Sequence, residues 1–364
     1  TSGGGGGGGG GCVFISYGTS NSITADMIQA YGGFGYQRGG AGKVLIRKED
    51  DSVRQLYLSS VSNSSSTLSV AADTVQIEDE LIVDTLTIDP GAMYVLGSGK
   101  TLILTSSTPF VGSRPAGTLK SEDGGTLKID ADALMQDITI ELHEGGSIVD
   151  IDTELSSTLN FTISMGATFD MRGFVTSTPF VVKNFTVDGG GRVTHGSHEG
   201  LGNTLTHMVN IQAEDIEITG ASVIDVSGKG FAGGTNGEDG NGPGGGEYAY
   251  GIAVGAGHGG GGTANNPDGS SAGAGGSAYC DASNPRTLGS GGSSGYFDSG
   301  TGISGGNGGG MVWLIASDTL KLEGNILADG EGGGYGFFIG VDFVFESLSG
   351  GGSGGGVKLY APTI

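Results

Sequence analysis

Apolar and polar residues alternate in many short runs along this chain. Clear examples are 86–88, 138–140, 161–163 and 185–187, which read Leu-Thr-Ile, Ile-Thr-Ile, Phe-Thr-Ile and Phe-Thr-Val. A period of two between apolar positions is typical of a β-strand with one buried face, and it does not suit an α-helix. The chain is therefore predicted to be all-β, with a short helix expected only within residues 48–59.

Each run leads into a glycine, and these glycines recur at a nearly constant interval. Gly125, Gly146, Gly166 and Gly190 lie 20 to 24 residues apart. Strands this short, joined by glycine turns, can bury apolar side chains by stacking in parallel on the next turn of chain. The pattern predicts a right-handed parallel β-helix, a solenoid with Gly-rich loops. It disfavours an antiparallel sandwich, which would pair strands through tight turns at closer spacing.

A second repeat joins a glycine tract to an apolar strand, and copies of it occupy 9–15, 39–46, 308–315 and 354–360. Neither end of the sequence carries a polar cap, so we expect a part of a longer chain or a unit that stacks end to end. One continuous solenoid is expected, made of N-terminal Gly-rich coils over 1–70, regular coils of about 20–24 residues over 71–226, Gly-rich loops over 227–310 and C-terminal Gly-rich coils over 311–364.

Composition narrows the classes of function. The 364 residues include 79 glycines, but glycine does not recur at every third position, which excludes a collagen helix. The formal net charge of −23 would repel phosphate backbones, so nucleic-acid partners are excluded, whereas cations and basic partners suit it. No apolar run is long enough for a membrane span.

The combination of glycine tract, strand and Gly-anchored coil resembles Gly-rich β-helical repeat proteins of protist cell surfaces and extracellular fibres. The likeness is best over 1–46 and 305–364. It implies an extracellular or cell-surface location and a structural or adhesive role. It transfers no catalytic residue.

Three aspartates suggest a cation site. Asp130, Asp150 and Asp170 follow their glycines at intervals of 20 residues. If they stacked on successive coils, their carboxylates would lie about 4.8 Å apart and repel one another unless something compensates. Solvated turns are one solution, and bound calcium, which prefers carboxylate and carbonyl oxygens, is the other. Calcium is the only cofactor that the sequence suggests.

Two kinds of covalent modification are also expected. Asn63, Asn160 and Asn184 begin Asn-X-Ser/Thr sequons, and the last two lie one coil apart, so that their glycans would share an outer face. Cys12 and Cys280 form either one disulfide or two free thiols, and their spacing leaves both alternatives open.

Signals of enzymatic chemistry are weak. His195 and His198 share a short loop and lack cysteine partners, which favours a surface loop over a metal site. The tripeptide around His258 resembles one short motif of polygalacturonases, but the paired active-site aspartates and the basic substrate-binding segment of that family are missing. The 16 lysines and arginines do not cluster as pectate-lyase chemistry would need. We therefore expect no catalytic site.

The leading hypothesis is a structural subunit of an extracellular filament, fibre or cell-surface coat, with copies of itself or other extracellular matrix and surface proteins as partners. A glycan-binding adhesin is the alternative, and its candidate aromatic residues are Tyr248, Tyr250, Tyr279 and Tyr296. These residues also favour ordered loops over a flexible linker in 227–310. A carbohydrate-active enzyme is the third hypothesis, and it would need a cleft with paired carboxylates.

Overall fold

The structure of the chain is a computed structural model. It describes residues 11–19, 42–50, 54–59, 74–88, 92–105, 117–121, 125–129, 134–136, 138–142, 147–150, 160–164, 167–171, 179–198, 207–248, 253–263, 275–296, 302–339 and 344–364.

The regular structure in these ranges is entirely β. The strands are, in chain order, β1 (Cys12–Tyr17), β2 (Gly42–Lys48), β3 (Arg54–Ser59), β4 (Thr74–Val75), β5 (Glu80–Val83), β6 (Thr85–Ile88), β7 (Met93–Leu96), β8 (Thr101–Leu104), β9 (Gly117–Ser121), β10 (Thr126–Ile129), β11 (Leu134–Gln136), β12 (Ile138–Leu142), β13 (Ser147–Asp150), β14 (Asn160–Ser164), β15 (Thr168–Asp170), β16 (Phe180–Val181), β17 (Asn184–Val187), β18 (Arg192–Thr194), β19 (Val209–Ile218), β20 (Val223–Asp225), β21 (Gly295–Tyr296), β22 (Gly302–Ile303), β23 (Met311–Leu322), β24 (Asn325–Leu327), β25 (Tyr335–Ile339), β26 (Val344–Leu348) and β27 (Gly356–Tyr360). The all-β prediction is confirmed. The short helix expected within 48–59 is wrong, because β3 occupies its second half.

Most strands pair in parallel, and strands that follow one another in the chain often belong to different sheets. The two largest sheets run in the orders β24-β20-β18-β15-β12-β9-β7-β4 and β11-β14-β17-β19-β23-β27, with β16 beside β19 in the second. A third sheet has the order β13-β10-β8-β5. Thus β12, β13 and β14 enter three different sheets, and each pairs with a strand from a neighbouring repeat. The predicted parallel stacking is confirmed for these sheets.

Like side chains lie directly above one another in these sheets. In the largest sheet, one ladder of fully buried residues crosses six strands: Tyr94, Leu119, Ile140, Phe169, Val193 and Ile224. A parallel ladder in the second sheet joins Ile163 to Val187 and Ile218, again without exposure. Burial of each such side chain stabilises the fold by about 1.5–3 kcal/mol, so the ladders supply most of the core.

An aromatic cluster links the two largest sheets. The ring of Phe161 lies 5.1 Å from that of Phe169 and 5.4 Å from that of Phe180, centroid to centroid, and both pairs meet edge to face. Its ladder neighbour Phe185 stacks at 6.1 Å. Phe161 is therefore a central contact between sheets as well as between repeats.

Parallel order fails at the N-terminal end and in two hairpins. In the sheet β1-β2-β3-β6, β1 pairs in parallel with β2 and β3 with β6, but β2 and β3 are antiparallel. Only residues 49–53 connect β2 to β3, and so short a link cannot make the crossover that parallel strands need. As a result, β1 and β2 run opposite to β3 and β6. The pairs β21–β22 and β25–β26 are also antiparallel.

The glycine-rich chain after β20 forms a second ordered body, which we call the glycine bundle. Its extended segments have no regular strand pairing and hydrogen bond to one another through their main chains; they are 228–234, 240–246, 253–257, 288–294, 305–310, 328–334 and 349–356. A small apolar cluster of Met208, Phe231, Leu288 and Met311 packs the bundle against the start of β23. The described segments within 227–310 are Gly-rich and extended, and the division of the chain expected from the sequence stays a prediction.

The hydrogen bonds of the bundle change partner with a period of three residues. Gly289 and Gly292 both donate to segment 305–310, over 2.8 and 2.9 Å, and both accept from segment 228–234. The residues between them bond to other segments. A chain that repeats its direction every third residue is a threefold extended helix of the polyproline II type, here joined to its neighbours by main-chain hydrogen bonds.

Close packing of main chains explains why these segments are built of glycine. A Cβ atom added to Gly292 would fall on the carbonyl group of Gly350, and one added to Gly308 would fall on that of Gly289. Both obstacles are main-chain atoms of neighbouring segments and cannot swing aside. The glycines are thus required by the distance between segments, which a side chain would increase.

Replacement of Phe161 by alanine is expected to destabilise the chain by about 3–5 kcal/mol, because it removes a fully buried ring that contacts three others. Urea denaturation followed by circular dichroism would measure the change. Phe14→Ala serves as the matched control, since that ring is 59% exposed and should cost little. Equal losses in the two variants would contradict this account of the core.

Gly292→Ala is expected to lower the free energy of unfolding by about 1–3 kcal/mol, because the new methyl group must push two main chains apart. Gly260→Ala is the control, since a Cβ there has no atom within 4 Å. The same denaturation assay compares them. A Gly292→Ala variant as stable as the control would show that the bundle is not closely packed.

Candidate functional site

The outer edge of β27 is the most distinctive exposed feature of the fold. β27 pairs with β23 over five residues, from Met311 opposite Gly356 to Ile315 opposite Tyr360. On its other side, no strand of the described chain pairs with it. β24, at the end of the neighbouring sheet, is paired on one side only in the same way. Within the described ranges, two sheets therefore end in edges without a second paired strand.

The direction of the free main-chain groups on β27 follows from its pairing. The Gly356 N–H donates to the Gly310 carbonyl over 3.1 Å. Because N–H and C=O groups alternate sides along a strand, Gly356, Lys358 and Tyr360 bond to β23, whereas Val357 and Leu359 turn their groups to the open edge. Both lie in register with the buried Val312 and Leu314, and Val357 remains 38% exposed because no further strand covers it in the described chain.

Lysine and proline, two residue types that discourage strand pairing, both occur near this edge, at Lys358 and Pro362. Lysine and proline on an edge strand both hinder the addition of another strand. The Lys358 ammonium, however, is held against Asn284, with 2.9 Å between Nζ and the Asn284 Oδ1 acceptor, and it does not cover the edge. Pro362 lies beyond β27. The edge over Val357 and Leu359 thus retains its donors and acceptors.

The opposite end of the strand order has a similar edge. β1 pairs with β2 and with no other strand in the described ranges. Val13 and Ile15 pack on Val44 and Ile46, while the Phe14 ring on the other face of β1 is exposed. The two ends of the chain's strand order therefore both present main-chain groups for pairing.

The aspartates predicted as a calcium site are not brought together. Asp150 ends β13 and lies opposite Ile129, whereas Asp170 ends β15 and lies opposite Glu141 and Thr194 in another sheet. The expected ladder of carboxylates is therefore wrong for this pair, because a 20-residue step does not return the chain to the same sheet here. Asp130 lies outside the described residues. The described residues hold no group of three or more histidine, cysteine or acidic side chains that could bind a metal ion.

The two described sequons are ladder neighbours. Asn160 lies opposite Asn184, and the Asn184 Nδ2 donates to the Asn160 Oδ1 over 2.9 Å. The middle residues of both sequons, Phe161 and Phe185, are fully buried. A glycan on Asn184 would replace one of the two Nδ2 hydrogens, and this amide group already donates a hydrogen bond to Asn160. Asn63 lies outside the described residues, and glycosylation stays a prediction.

The two cysteines are free, so the disulfide alternative is wrong for this structure. Cys12 is exposed at the start of β1, and Cys280 is half-buried beside the glycine bundle, where its N–H donates to the His258 carbonyl. The two residues belong to different parts of the fold. Burial raises the pKa of the Cys280 thiol, and the charge of Asp281 raises it further.

The tyrosines predicted as a glycan face do not form one in the described chain. Tyr279 donates its hydroxyl to the Leu288 carbonyl over 2.5 Å and contacts Ser290, and burial raises its pKa to about 12. Tyr248 is half-buried, Tyr250 lies outside the described residues, and the side chain of Tyr296 is not described. Tyr279 therefore has a structural role in the glycine bundle.

His258, the centre of the tripeptide shared with polygalacturonases, is also a packing residue. It is buried, its Nε2 lies 2.9 Å from the Thr287 Oγ1, and its ring meets that of Tyr279 at 4.9 Å. Burial lowers its pKa. The side chain is thus enclosed by its neighbours.

His195 connects the β-sheets to the glycine bundle, a role that no sequence pattern indicated. Its ring is fully buried, its Nε2 accepts the Met311 N–H over 3.2 Å, and its Nδ1 lies 2.6 Å from the Gly196 carbonyl. These contacts require a neutral ring that carries its proton on Nδ1. Burial lowers its pKa to about 3. The surface loop expected around His195 and His198 is wrong, since both rings are buried.

Comparison with known proteins finds no matching family model, no matching curated protein and no matching solved structure. The resemblance to Gly-rich proteins of protist surfaces therefore depends on the sequence pattern alone. The described part of the chain contains no helix with the length and apolar character needed to cross a membrane.

The buried neutral His195 predicts a stability that falls with acidification. Its pKa is about 3 in the folded chain and about 6.5 when unfolded, so the unfolded chain binds more protons between these values. The stabilisation is complete above pH 6.5 and is lost progressively as the pH falls towards 3. Urea denaturation at pH 7.5 and pH 5 should show a larger loss for the natural chain than for His195→Gln. An equal loss of stability in the natural chain and in the His195→Gln variant would contradict the assignment of this pH dependence to His195.

Proposed function

We propose that the chain is a structural subunit of an extracellular filament, fibre or cell-surface coat, which assembles by pairing of strand edges at the ends of a β-helix. The open edge of β27 carries this proposal, because it combines free main-chain groups with exposed apolar side chains. Edges of this kind are ready templates for the strands of another chain.

The β-helix itself is part of the proposal. Three sheets with parallel neighbours, entered in turn by consecutive strands, are what the faces of a solenoid require. The in-register ladders through Ile140 and Ile163 support it, as does the 24-residue step between the hydrogen-bonded Asn160 and Asn184. The right-handed sense is the usual one for parallel crossovers.

The direction of β1 sets the kind of joint that copies would make. β1 runs opposite to β3 and β6, because β2 and β3 are antiparallel. In a β-helix, β27 would run with β6, so β1 of one copy would meet β27 of the next as an antiparallel neighbour. Two β27 edges related by a twofold axis would also be antiparallel. The β2–β3 pair is an example of such pairing within the chain.

A structural role also suits the main-chain chemistry of the glycine bundle. Its segments are held by direct hydrogen bonds between main chains and leave room for few side chains. The buried histidines and Tyr279 serve packing and hydrogen bonding within it. These residues support a scaffold in preference to a carbohydrate-active site.

The proposal predicts that the purified chain forms oligomers or fibres and that Val357→Pro abolishes them. Proline at 357 removes an N–H that faces the open edge, while the bonds from β27 to β23 are kept, because their donors are the alternate residues. Sedimentation velocity and negative-stain electron microscopy over a concentration series would measure the assembly.

Val357→Ala is the matched control, since it shortens the same side chain and keeps the N–H. Assembly by the alanine variant and not by the proline variant is the expected result, with both monomers melting close to the natural chain. A natural chain that stays monomeric at its highest soluble concentration would refute the proposed function. Assembly that is unaffected by Val357→Pro would show that the edge of β27 is not the joint.

A further inference from the structure

Trp313 is the only tryptophan of the chain and lies on the outer face of β23. It is half-buried, points to the opposite side of the strand from the buried Val312 and Leu314, and packs against the apolar cluster around Met311. Lys358 lies opposite it on β27, and its Nζ is 4.8 Å from the centre of the indole ring. Arg286 approaches the same ring from a loop, with its Cζ at 5.8 Å.

The loop that carries Arg286 is held in place by hydrogen bonds from both strands. The Trp313 Nε1 donates to the Pro285 carbonyl over 3.0 Å, and the Lys358 Nζ donates to the Asn284 Oδ1 over 2.9 Å. The loop therefore lies over the sheet in one position. Groups that are held in place before a ligand arrives lose little entropy on binding.

The two cations of this patch lack acidic partners. Several other described cations pair with acids, as Arg192 does with Asp225 and Lys321 with Glu217. Neither Arg286 nor Lys358 makes an ion pair with any described residue. Two like charges on one ring repel each other, and the aromatic face compensates only part of this. An anion would complete the charge balance.

The surface beside these cations offers a second aromatic ring. Tyr360 follows Lys358 by two residues on the same face of β27 and is 60% exposed. Its Cα is about 8 Å from that of Trp313, from the strand spacing and the rise per residue. The nearest acid along the loop, Asp281, has its carboxylate bonded to the N–H and hydroxyl of Ser283. The patch thus combines two aromatic rings with two cations.

We propose that Trp313, Arg286, Lys358 and Tyr360 form a binding site for a polysaccharide that bears carboxylate or sulfate groups. Arginine and lysine bind such oxyanions by charge-assisted hydrogen bonds, and arginine can do so with two parallel bonds. The exposed ring of Tyr360 presents an apolar face on which a sugar ring can pack, and the half-buried Trp313 lies beside it. The site lies on the outer face of β23 and β27, beside the hydrogen-bonding edge of β27 proposed for assembly, and it would anchor the scaffold to an acidic matrix.

The single tryptophan makes the site directly measurable. Trp313 emission would be titrated at physiological ionic strength with an oligogalacturonide, a sulfated oligosaccharide and a neutral oligosaccharide of matched length. A saturable change with one or both acidic sugars, and none with the neutral one, is expected. Half-saturation should occur at least tenfold below that of acetate or sulfate ions, because the rings bind the sugar itself.

Variants separate this role from a merely structural clamp. Arg286→Gln and Lys358→Gln should each weaken binding about tenfold, the value of one charge-assisted hydrogen bond. Tyr360→Ala should also weaken it without lowering the melting temperature, since this ring is exposed. Lys321→Gln is the control. It removes a cation of β23 that already pairs with Glu217, so the affinity for the acidic sugar should not change.

Three results would overturn the proposal. One is the absence of a saturable emission change with either acidic sugar. Another is neutral sugar or free anions binding as tightly as the acidic oligosaccharides. The third is unchanged binding in the Arg286→Gln and Tyr360→Ala variants when their circular dichroism shows a folded chain. None of these results depends on whether the chain assembles.

Discussion

Main-chain pairing in register between successive repeats is the constraint on which this structure depends. When two parallel strands pair residue for residue, each side chain lies about 4.8 Å from its equivalent in the next repeat. The sequence must then place a residue of the same character at every equivalent position. Ile140, Phe169 and Val193 meet this condition in one sheet, and Phe161 and Phe185 in another.

The glycine bundle applies the same principle without side chains. Its segments also hydrogen bond through their main chains, but in several directions, with partners that change every third residue. Such packing is possible only where no Cβ separates the chains, as at Gly292 and Gly308. The chain therefore contains two cores, one of stacked apolar side chains and one of stacked main chains. His195 and the cluster around Met311 connect them.

Stacking by main-chain pairing has no intrinsic end, and this makes the outer edges of the described sheets important. The edge of β27 keeps its donors and acceptors at Val357 and Leu359, and the lysine between them is turned aside by Asn284 and Trp313. The same contacts that leave the edge open thus build the cationic aromatic patch on the adjacent face. The proposed assembly and the proposed recognition of an acidic matrix would both involve β27.

The sequence by itself determined the class of local structure. Runs such as 161–163 and 185–187 have a period of two and recur at a nearly constant interval, which favours short strands with one buried face that stack on the next repeat. The all-β class, the parallel pairing of most strands and the buried apolar ladders agree with this pattern.

Only the tertiary structure decided which residues meet. The repeat length varies, so Asp150 and Asp170 enter different sheets despite a constant interval, and no ladder of carboxylates forms between them. The short link after β2 reverses the first two strands, which local alternation cannot reveal because both directions have the same period. Trp313, Arg286 and Lys358 are distant in sequence and lie in three separate elements. Their contact depends on how those elements stack, and the pattern of residues along the sequence does not show this.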